Sequence, residues 1–520
     1  MTRAINDVLI VGGGTAGWLS AAVLAKQLSG QQGINITLVE SPNVPILGVG
    51  EGTWPNLRAT LKKVGIDESE FMRECDATFK QGAEFINFAK TPESGKSDGY
   101  YHPLNTVFHS SYEFNLASYW LLDKDKRQQR YDLAVATQAH VCQSGLAPKK
   151  ITTPAFAAVQ EYSYHLNANK FADFLMRHCT QKLGVKHIKA DVNKVNLDSS
   201  GYVESVETAN AEYPKITADF FVDCSGGKAI IIEQAMDIGW RNINDVIFND
   251  TAVAMQVPYQ DPERPISSHT LVTAQEAGWI WDINLFNRRG VGHVYSSKYT
   301  SDDRAEALLR EYIGPEAEGL AARKINMRLG YRDKFWHKNC VAIGMSAGFV
   351  EPLEASAIYL YDAAANMIAD QFPRNFDNLA YVERKFNNNF KMRMERTIEF
   401  IKLHYCISQR RDSQYWIDNC DAKSIPENLL WRLEHWKTHP PTKYDFDFAW
   451  EPFNLDSYLY VLYGMHFQTD LSANASAFPH EKMATRMFSD IEKLSAKLTR
   501  ELPSQRDLLK KVYEFGFSPV

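Results

Sequence analysis

The chain is poor in the features that would set it apart from ordinary globular enzymes. No apolar run reaches the roughly 18–20 residues of a membrane-spanning helix. No block of lysine and arginine marks a nucleic-acid partner or a polybasic membrane anchor, and 57 basic side chains are slightly outnumbered by 63 acidic ones, for a net charge of −6. Cysteine is scarce: the seven in 520 residues are odd in number, scattered, and include no CxxC. That spacing argues against a disulfide framework and against a zinc site, so no metal is expected and a reducing cytoplasm is. The amino end shows no signal-peptide pattern of charge, apolar core and cleavage site. Internal repeats and low-complexity tracts are missing as well.

What is present is a globular composition, 45% hydrophobic and 23% charged, on a chain long enough for several domain-sized units. The first forty residues are the most legible. Val8-Leu9-Ile10-Val11 is a short β-branched run of the kind buried on both faces of a parallel sheet. Gly12-Gly13-Gly14-Thr15-Ala16-Gly17 follows, then a helical stretch rich in alanine and leucine from Trp18 to Leu28. Ile34 to Glu40 reads as a second strand ending in an acid, which completes a βαβ opening.

The glycine pattern Gly12-x-Gly14-x-x-Gly17 therefore stands after a strand and at the start of a helix, where a dinucleotide needs it. Gly12 allows the tight turn, Gly14 lets the backbone approach a pyrophosphate, and Gly17 lets helix and strand pack closely. Gly13, Thr15 and Ala16 complete the loop, whose helix N-terminus offers amide N–H groups to phosphate. Glu40, 23 residues beyond Gly17, is placed to accept hydrogen bonds from a ribose 2′-hydroxyl. This fingerprint does not decide between FAD and NAD. Asp223-Cys224-Ser225-Gly226 after a strand is a second hint of FAD, although those residues also read as an ordinary strand end. No second GxGxxG appears for a nicotinamide nucleotide, so a flavin enzyme built this way receives its electrons from elsewhere.

Further along, Ser41 to Thr53 reads as a loop and residues from about 56 to 80 as helical. Tyr202–Val206, Ile216–Val222 and Cys340–Ile343 read as strands, and Pro352 to Ile368 as a helix. The last third is mostly helical and rich in aromatics. The strands of cofactor type are spread from residue 8 to residue 344, which implies a nucleotide domain interrupted by a substrate module.

Taken together, GGGTAGW (Gly12–Trp18), GVGEGTWP (Gly48–Pro55), ATFKQG (Ala77–Gly82), DCSG (Asp223–Gly226), GWIWDIN (Gly278–Asn284) and FVEPLEASAIY (Phe349–Tyr359) resemble the flavin-dependent tryptophan halogenases. The matches keep family order over about the first 360 residues, and the C-terminal third is similar more loosely. The resemblance implies an α/β fold: a three-layer, Rossmann-like FAD-binding domain of the flavin monooxygenase type over residues 1–370. Substrate-facing segments would be inserted at approximately 80–170 and 240–330, with a mostly helical substrate module over 371–520. It adds Gly50 and Met345 to the cofactor residues.

The activity implied is FADH2-dependent halogenation, in which halide, chloride or bromide, is oxidised with O2 to hypohalous acid. Lys80 corresponds to the lysine that binds this oxidant or becomes a haloamine beside the aromatic substrate. Without the flanking match it would read as a surface lysine. Glu354 corresponds to the acid near that lysine, which stabilises the cationic ring or takes its proton, with Glu351 as the competing carboxylate. On its own, Glu354 reads as a first-turn helix acid. Ser356 and Ala357 stand where backbone amides of the family bind halide. Trp279 and Trp281 belong to a motif credited with keeping substrate away from the flavin, and read equally as two indoles on one face of a core strand.

This chain departs from the family pattern in several places. Asn284 replaces the proline of the tryptophan motif, Ala355 lacks a hydroxyl, and Ala357 replaces a glycine. His102 matches a pocket histidine, but Leu104 stands where a stacking phenylalanine is expected. The stretch Pro441–Phe448 has no tyrosine pair to hold an amino-acid substrate, with Tyr444 and Glu451 as loose substitutes. An indole-type substrate is implied, tryptophan being one candidate, together with a separate NAD(P)H-dependent flavin reductase. No nucleic-acid or membrane partner is expected, and homodimerisation is common in the family. The rival readings are an aromatic hydroxylase of the flavin monooxygenase type and a flavin-binding protein without turnover.

Overall fold

The run Val8–Val11 does become the middle of a parallel sheet. In the computed structural model, strand Asp7–Val11 pairs in parallel with Asn35–Glu40 on one side and Phe220–Asp223 on the other. The structure describes every residue except 1–2, 29–32, 45–47, 49, 94–97, 106, 108–109, 124, 449 and 519–520, so Val49 of the Gly48–Pro55 stretch lies outside it. Two compact units are built from interleaved stretches of chain. The first comprises Met1–Ala77, Leu166–Ile243 and Arg328–Met394, and the second Thr78–His165, Asn244–Met327 and Glu395–Val520.

In the first unit the sheet runs in the order Trp336–His337, Cys340–Ala342, Phe220–Asp223, Asp7–Val11, Asn35–Glu40, Lys186–Lys189, and is parallel except at the Trp336 edge. Helix Thr15–Leu28 is buried around most of its girth, as its alanine-rich sequence allows, and packs against helices Ala168–Lys182 and Ser356–Asp370. A separate antiparallel sheet, Lys215–Thr217, Val203–Thr208 and Val192–Leu197, is tied to the strand region by the buried Asn339 amide, which exchanges hydrogen bonds with the Val203 backbone.

Two expectations change here. The run Ile216–Val222 is two strands in two sheets, Lys215–Thr217 and Phe220–Asp223. The break falls at Asp219, whose carboxylate accepts the amides of Asn6 at 3.0 Å and Asp7 at 3.1 Å and so commits that residue to the start of the first strand. The helical stretch from 56 to 80 is two short helices, Pro55–Val64 and Glu68–Glu74. Gly65 (φ 82°) ends the first and Asp67 caps the second, and the segment closes in a strand, Thr78–Lys80.

In the second unit a seven-stranded sheet follows the order Arg323–Asn326, Thr251–Pro258, Arg288–Tyr295, Gly278–Asn284, Thr270–Gln275, Gly82–Ile86, Gly99–Pro103. It is antiparallel except where Thr270–Gln275 meets Gly82–Ile86. Helix Asp302–Ile313 covers part of it through Ala305, Leu309 and Ile313, packed on Met255, Ile280 and Val291. Strand Thr78–Lys80 stands apart and pairs antiparallel with Ser163–Leu166. From Glu395 onward the described regular structure is helical, including Leu455–Gly464, Glu481–Glu501 and Gln505–Phe515. Among the described residues no helix is long and apolar enough to cross a membrane.

Candidate active site

The loop Gly12–Gly17 is shaped by what its glycines permit. A Cβ on Gly12, whose φ is +116°, would stand 2.1 Å from the Cys224 carbonyl oxygen, and one on Gly17 would stand 1.9 Å from the Gly12 carbonyl. A Cβ on Gly13 would fall on the Glu40 carboxylate, whereas around Gly14 nothing lies within 4 Å, so the loop is open on that side. The first helical bond of the following helix runs from the Trp18 N–H to the Gly14 carbonyl, which leaves the amides of Thr15, Ala16 and Gly17 without intrahelical partners. This is a cradle suited to a pyrophosphate, and the residues present fit an FAD.

Glu40 closes its strand with one carboxylate oxygen 2.7 Å from His187 Nε2, and His187 in turn meets Trp18 edge-on at 5.0 Å. The acid expected to reach a ribose is thus held by a neighbour, with its other oxygen beside Gly13. The Asp223–Gly226 segment resolves as more than a strand end. The buried Asp223 carboxylate gathers the amides of Ser225 at 3.0 Å and of Ile231 and Ile232 at 2.9 Å, folding the following loop back beside Gly12. Gly344, at φ +81°, lies so near helix Thr15–Leu28 that a Cβ on it would stand 2.8 Å from the Ala16 methyl, and Met345 follows it with part of its surface exposed.

One carboxyl here escaped the sequence reading. Glu51 follows Gly50 (φ +108°), and burial raises its pKa to about 7, while its charge is felt by Tyr361 of helix Ser356–Asp370. A glutamate in a glycine-rich loop carries no local mark of such burial, so only the fold reveals it.

Glu354 and Glu351 are both buried. The Glu354 carbonyl accepts the Trp54 indole N–H at 2.8 Å, and Trp54 stacks on Tyr359 at 4.4 Å, which fixes the turn before the helix. Ala355 occupies the left-handed region (φ 55°, ψ 38°) and begins helix Ser356–Asp370 without a side-chain cap. Ser356 and Ala357 open that helix beside a cavity of about 20 Å³ walled by Gly348, Phe349, Tyr361 and Met394. Its size suits one small guest such as a water or a halide, and the first-turn amides favour an anion.

In the second unit Lys80 is 4% exposed, an unusual state for a lysine. Its strand places Thr78 opposite His165 and Lys80 opposite Ser163, and Thr78 donates to the Asn284 carbonyl at 2.7 Å. His102 lies on strand Gly99–Pro103 amid Phe400, Tyr460 and Phe453, at ring distances of 5.7, 6.2 and 6.5 Å, and Phe400 stacks on Phe453 at 3.7 Å. Leu104 is half-buried, and its amide donates to the Gln81 carbonyl.

Trp279 and Trp281 are buried in strand Gly278–Asn284 with their rings 6.3 Å apart, and their indole N–H groups have no hydrogen-bond partner among the described residues. They therefore belong to the protein interior. Asn284, the residue in place of proline, donates to Asp282, whose other oxygen meets Arg289 at 2.7 Å. Tyr444 is 85% exposed, while Glu451, half-buried, tucks its side chain beside Arg396 and accepts the Asp447 amide at 3.0 Å.

A family model described as tryptophan halogenase matches residues 7–479. The tryptophan 6-halogenase SttH of Streptomyces toxytricini is 33% identical, over 97% of this chain and 98% of that protein. The tryptophan 7-halogenase RebH of Lentzea aerocolonigenes is 32% identical, over 98% and 99%. The crystal structure of a tryptophan halogenase from Shewanella frigidimarina superposes with a TM-score of 0.94 at 42% identity, covering 99% of each chain.

Proposed function

Because the chain belongs to the tryptophan halogenase family, we propose that this flavin-dependent halogenase uses Lys80 to hold an electrophilic halogen and Glu354 to assist its transfer to an indole-type substrate. The observation that carries the assignment is the burial of Lys80 on a short strand inside the motif ATFKQG. An enclosed lysine is aimed at one spot by the groups around it, whereas a solvated one is a flexible point charge.

The glycine loop Gly12–Gly17, with Glu40, Gly50 and Met345, would hold FAD. When bound in reduced form, FAD supplies with O2 the oxidising power that turns halide into hypohalous acid. The chain's own part is then to position and to move protons. Ser356 and Ala357 offer first-turn amides to chloride or bromide. The Lys80 amine hydrogen-bonds hypohalous acid, or displaces water from it to become a haloamine. The Glu354 carboxylate stabilises the ring cation and accepts its proton. His102 and the rings around it provide an apolar surface for a flat substrate, with Leu104 in place of a stacking ring. A separate NAD(P)H-dependent reductase supplies FADH2. The absence of a tyrosine pair in Pro441–Phe448, with Tyr444 exposed, supports an indole lacking a tightly held amino-acid group.

The test is a reaction of the purified protein with FAD, a flavin reductase, NADH, oxygen and bromide against an indole panel that includes tryptophan. A bromine isotope doublet on one product is expected, lost in Lys80→Ala with FAD binding retained. Addition of oxygen without bromine would instead establish an aromatic hydroxylase.

A further inference from the structure

The peptide bond between Glu354 and Ala355 is held at both ends. Its carbonyl accepts the Trp54 indole N–H at 2.8 Å, and its own N–H donates to the Pro352 carbonyl at 2.9 Å. The turn is strained as well, because Ala355 lies in the left-handed region, which a residue with a Cβ adopts only at a cost. Peptide units are rigid, so relaxing Ala355 means rotating the whole plane about ψ of Glu354 and φ of Ala355. That rotation would carry the carbonyl away from the Trp54 N–H. One indole donor thus opposes the relaxation of a strained turn, and the buried Glu354 side chain is carried by that turn.

Trp54 is itself fixed from two sides. Its backbone stands at the start of helix Pro55–Val64, whose first residue is a proline with φ already set for a helix, and its carbonyl accepts the Leu57 amide at 3.0 Å. Its ring stacks on Tyr359, in the first turn of helix Ser356–Asp370, at 4.4 Å and 26° from parallel. The Tyr359 hydroxyl accepts a hydrogen bond from Arg393, whose Nε donates to Asn389 at 2.8 Å. Farther along, Asn56 donates to Asp362 and Lys63 to Asn366 at 3.0 Å, so the two helices are tied together beyond the ring pair. Stacking on Tyr359 does not require a nitrogen in the ring at position 54. What the indole adds is the donor to the Glu354 carbonyl.

We propose that Trp54 is a positioning residue for halogenation: its indole N–H clamps the Glu354–Ala355 peptide and so aims the Glu354 carboxylate at the aromatic ring that accepts the halogen. This rests on the reading of Glu354 as the acid that assists transfer. Trp54 acts through Glu354 alone. Tyr359 and Arg393 stand behind it, holding the indole in the plane from which it can donate.

The experiment is a double-mutant cycle in the reductase-coupled assay: wild type, Trp54→Phe, Glu354→Gln and the double variant. For each, kcat, the KM values for the indole and for bromide, and FAD affinity are measured. A misaimed group costs roughly 10-fold, so Trp54→Phe is expected to lower kcat by about that factor, with both KM values and FAD affinity within about 2-fold of wild type. In the Glu354→Gln background the same change is expected to cost less than about 2-fold, because the group it positions is gone. An unchanged kcat in Trp54→Phe overturns the proposal, whatever happens to KM or FAD binding. An equal loss in both backgrounds also overturns it and marks the ring as packing only. Full halogenation by Glu354→Gln would overturn the reading of Glu354 instead. A second measurement needs no turnover: deuterium exchange of the indole N–H groups by 15N–1H NMR, with the Trp54 signal identified by its absence from Trp54→Phe. That N–H is expected to exchange at least about 10-fold more slowly than those of the exposed Trp431 and Trp450, assigned in the same way, and equal rates overturn the clamp.

Discussion

Gly12 and Cys224 meet backbone against backbone, so closely that a Cβ on Gly12 would stand 2.1 Å from the Cys224 carbonyl oxygen. Two segments more than two hundred residues apart thereby form one wall of the cradle proposed to hold FAD, and the strand pairing Val11↔Asp223 holds them there. Gly12→Ala combines this clash with a φ of +116°. It is expected to destabilise the protein by more than about 2 kcal/mol. Loss of FAD from the purified variant, read by absorbance, and a lower urea midpoint check this.

Glu51 gives a pH dependence with a definite sign. Its folded pKa, raised by burial from 4.5 to about 7, means that the folded state holds a proton more tightly than the unfolded chain. The stabilisation is complete below about pH 4.5 and is lost as pH rises through about 7. Discounted because Glu51 keeps some solvent contact, the change is on the order of 2 kcal/mol. Glu51→Gln should remove that slope, leaving the FAD-free variant more stable than wild type at pH 8. Urea titrations of both proteins at about pH 5 and 8 test it.

Ala355 holds a left-handed conformation (φ 55°) at the start of the helix that carries Ser356 and Ala357. Replacing it by glycine relieves the Cβ strain and should raise stability by about 1 kcal/mol, whereas valine should lower it by more than that. Thermal unfolding reports both.

Glu354→Gln keeps the size of the side chain and the main-chain acceptor for Trp54, but removes the charge. Halogenation is expected to fall by about 10²-fold while FAD binding and flavin reoxidation continue. Parallel measurement of brominated product and oxygen consumption separates the two. Equal losses in both would place the residue in flavin handling.

The strand, glycine loop and helix at the amino end were legible because their physics is local: a glycine at each fixed offset, a strand before and a helix after. The segment Phe349–Tyr359 was legible through resemblance. Asp219 was not, because its role depends on capturing amides 212 and 213 residues away. The same holds for the burial of Lys80, named only through resemblance, on a strand that pairs with Ser163–Leu166, and for Glu51, whose charge acts on Tyr361 far along the chain. Three separate stretches also close into each unit, and no local pattern announces which stretches will meet.

The burial of Trp279 and Trp281 bears on how long such a catalyst lasts. An enzyme that generates an oxidant of indoles carries eleven indoles of its own. Trp18, Trp279, Trp336, Trp416 and Trp436 are shut away almost completely, whereas Trp431 and Trp450 stand 67% and 51% exposed. Hypohalous acid that escapes into solvent therefore finds Trp431 and Trp450 open to it and the five buried indoles closed. Ageing of the protein during turnover would be written as bromine on Trp431 and Trp450, while the buried indoles stay unmarked.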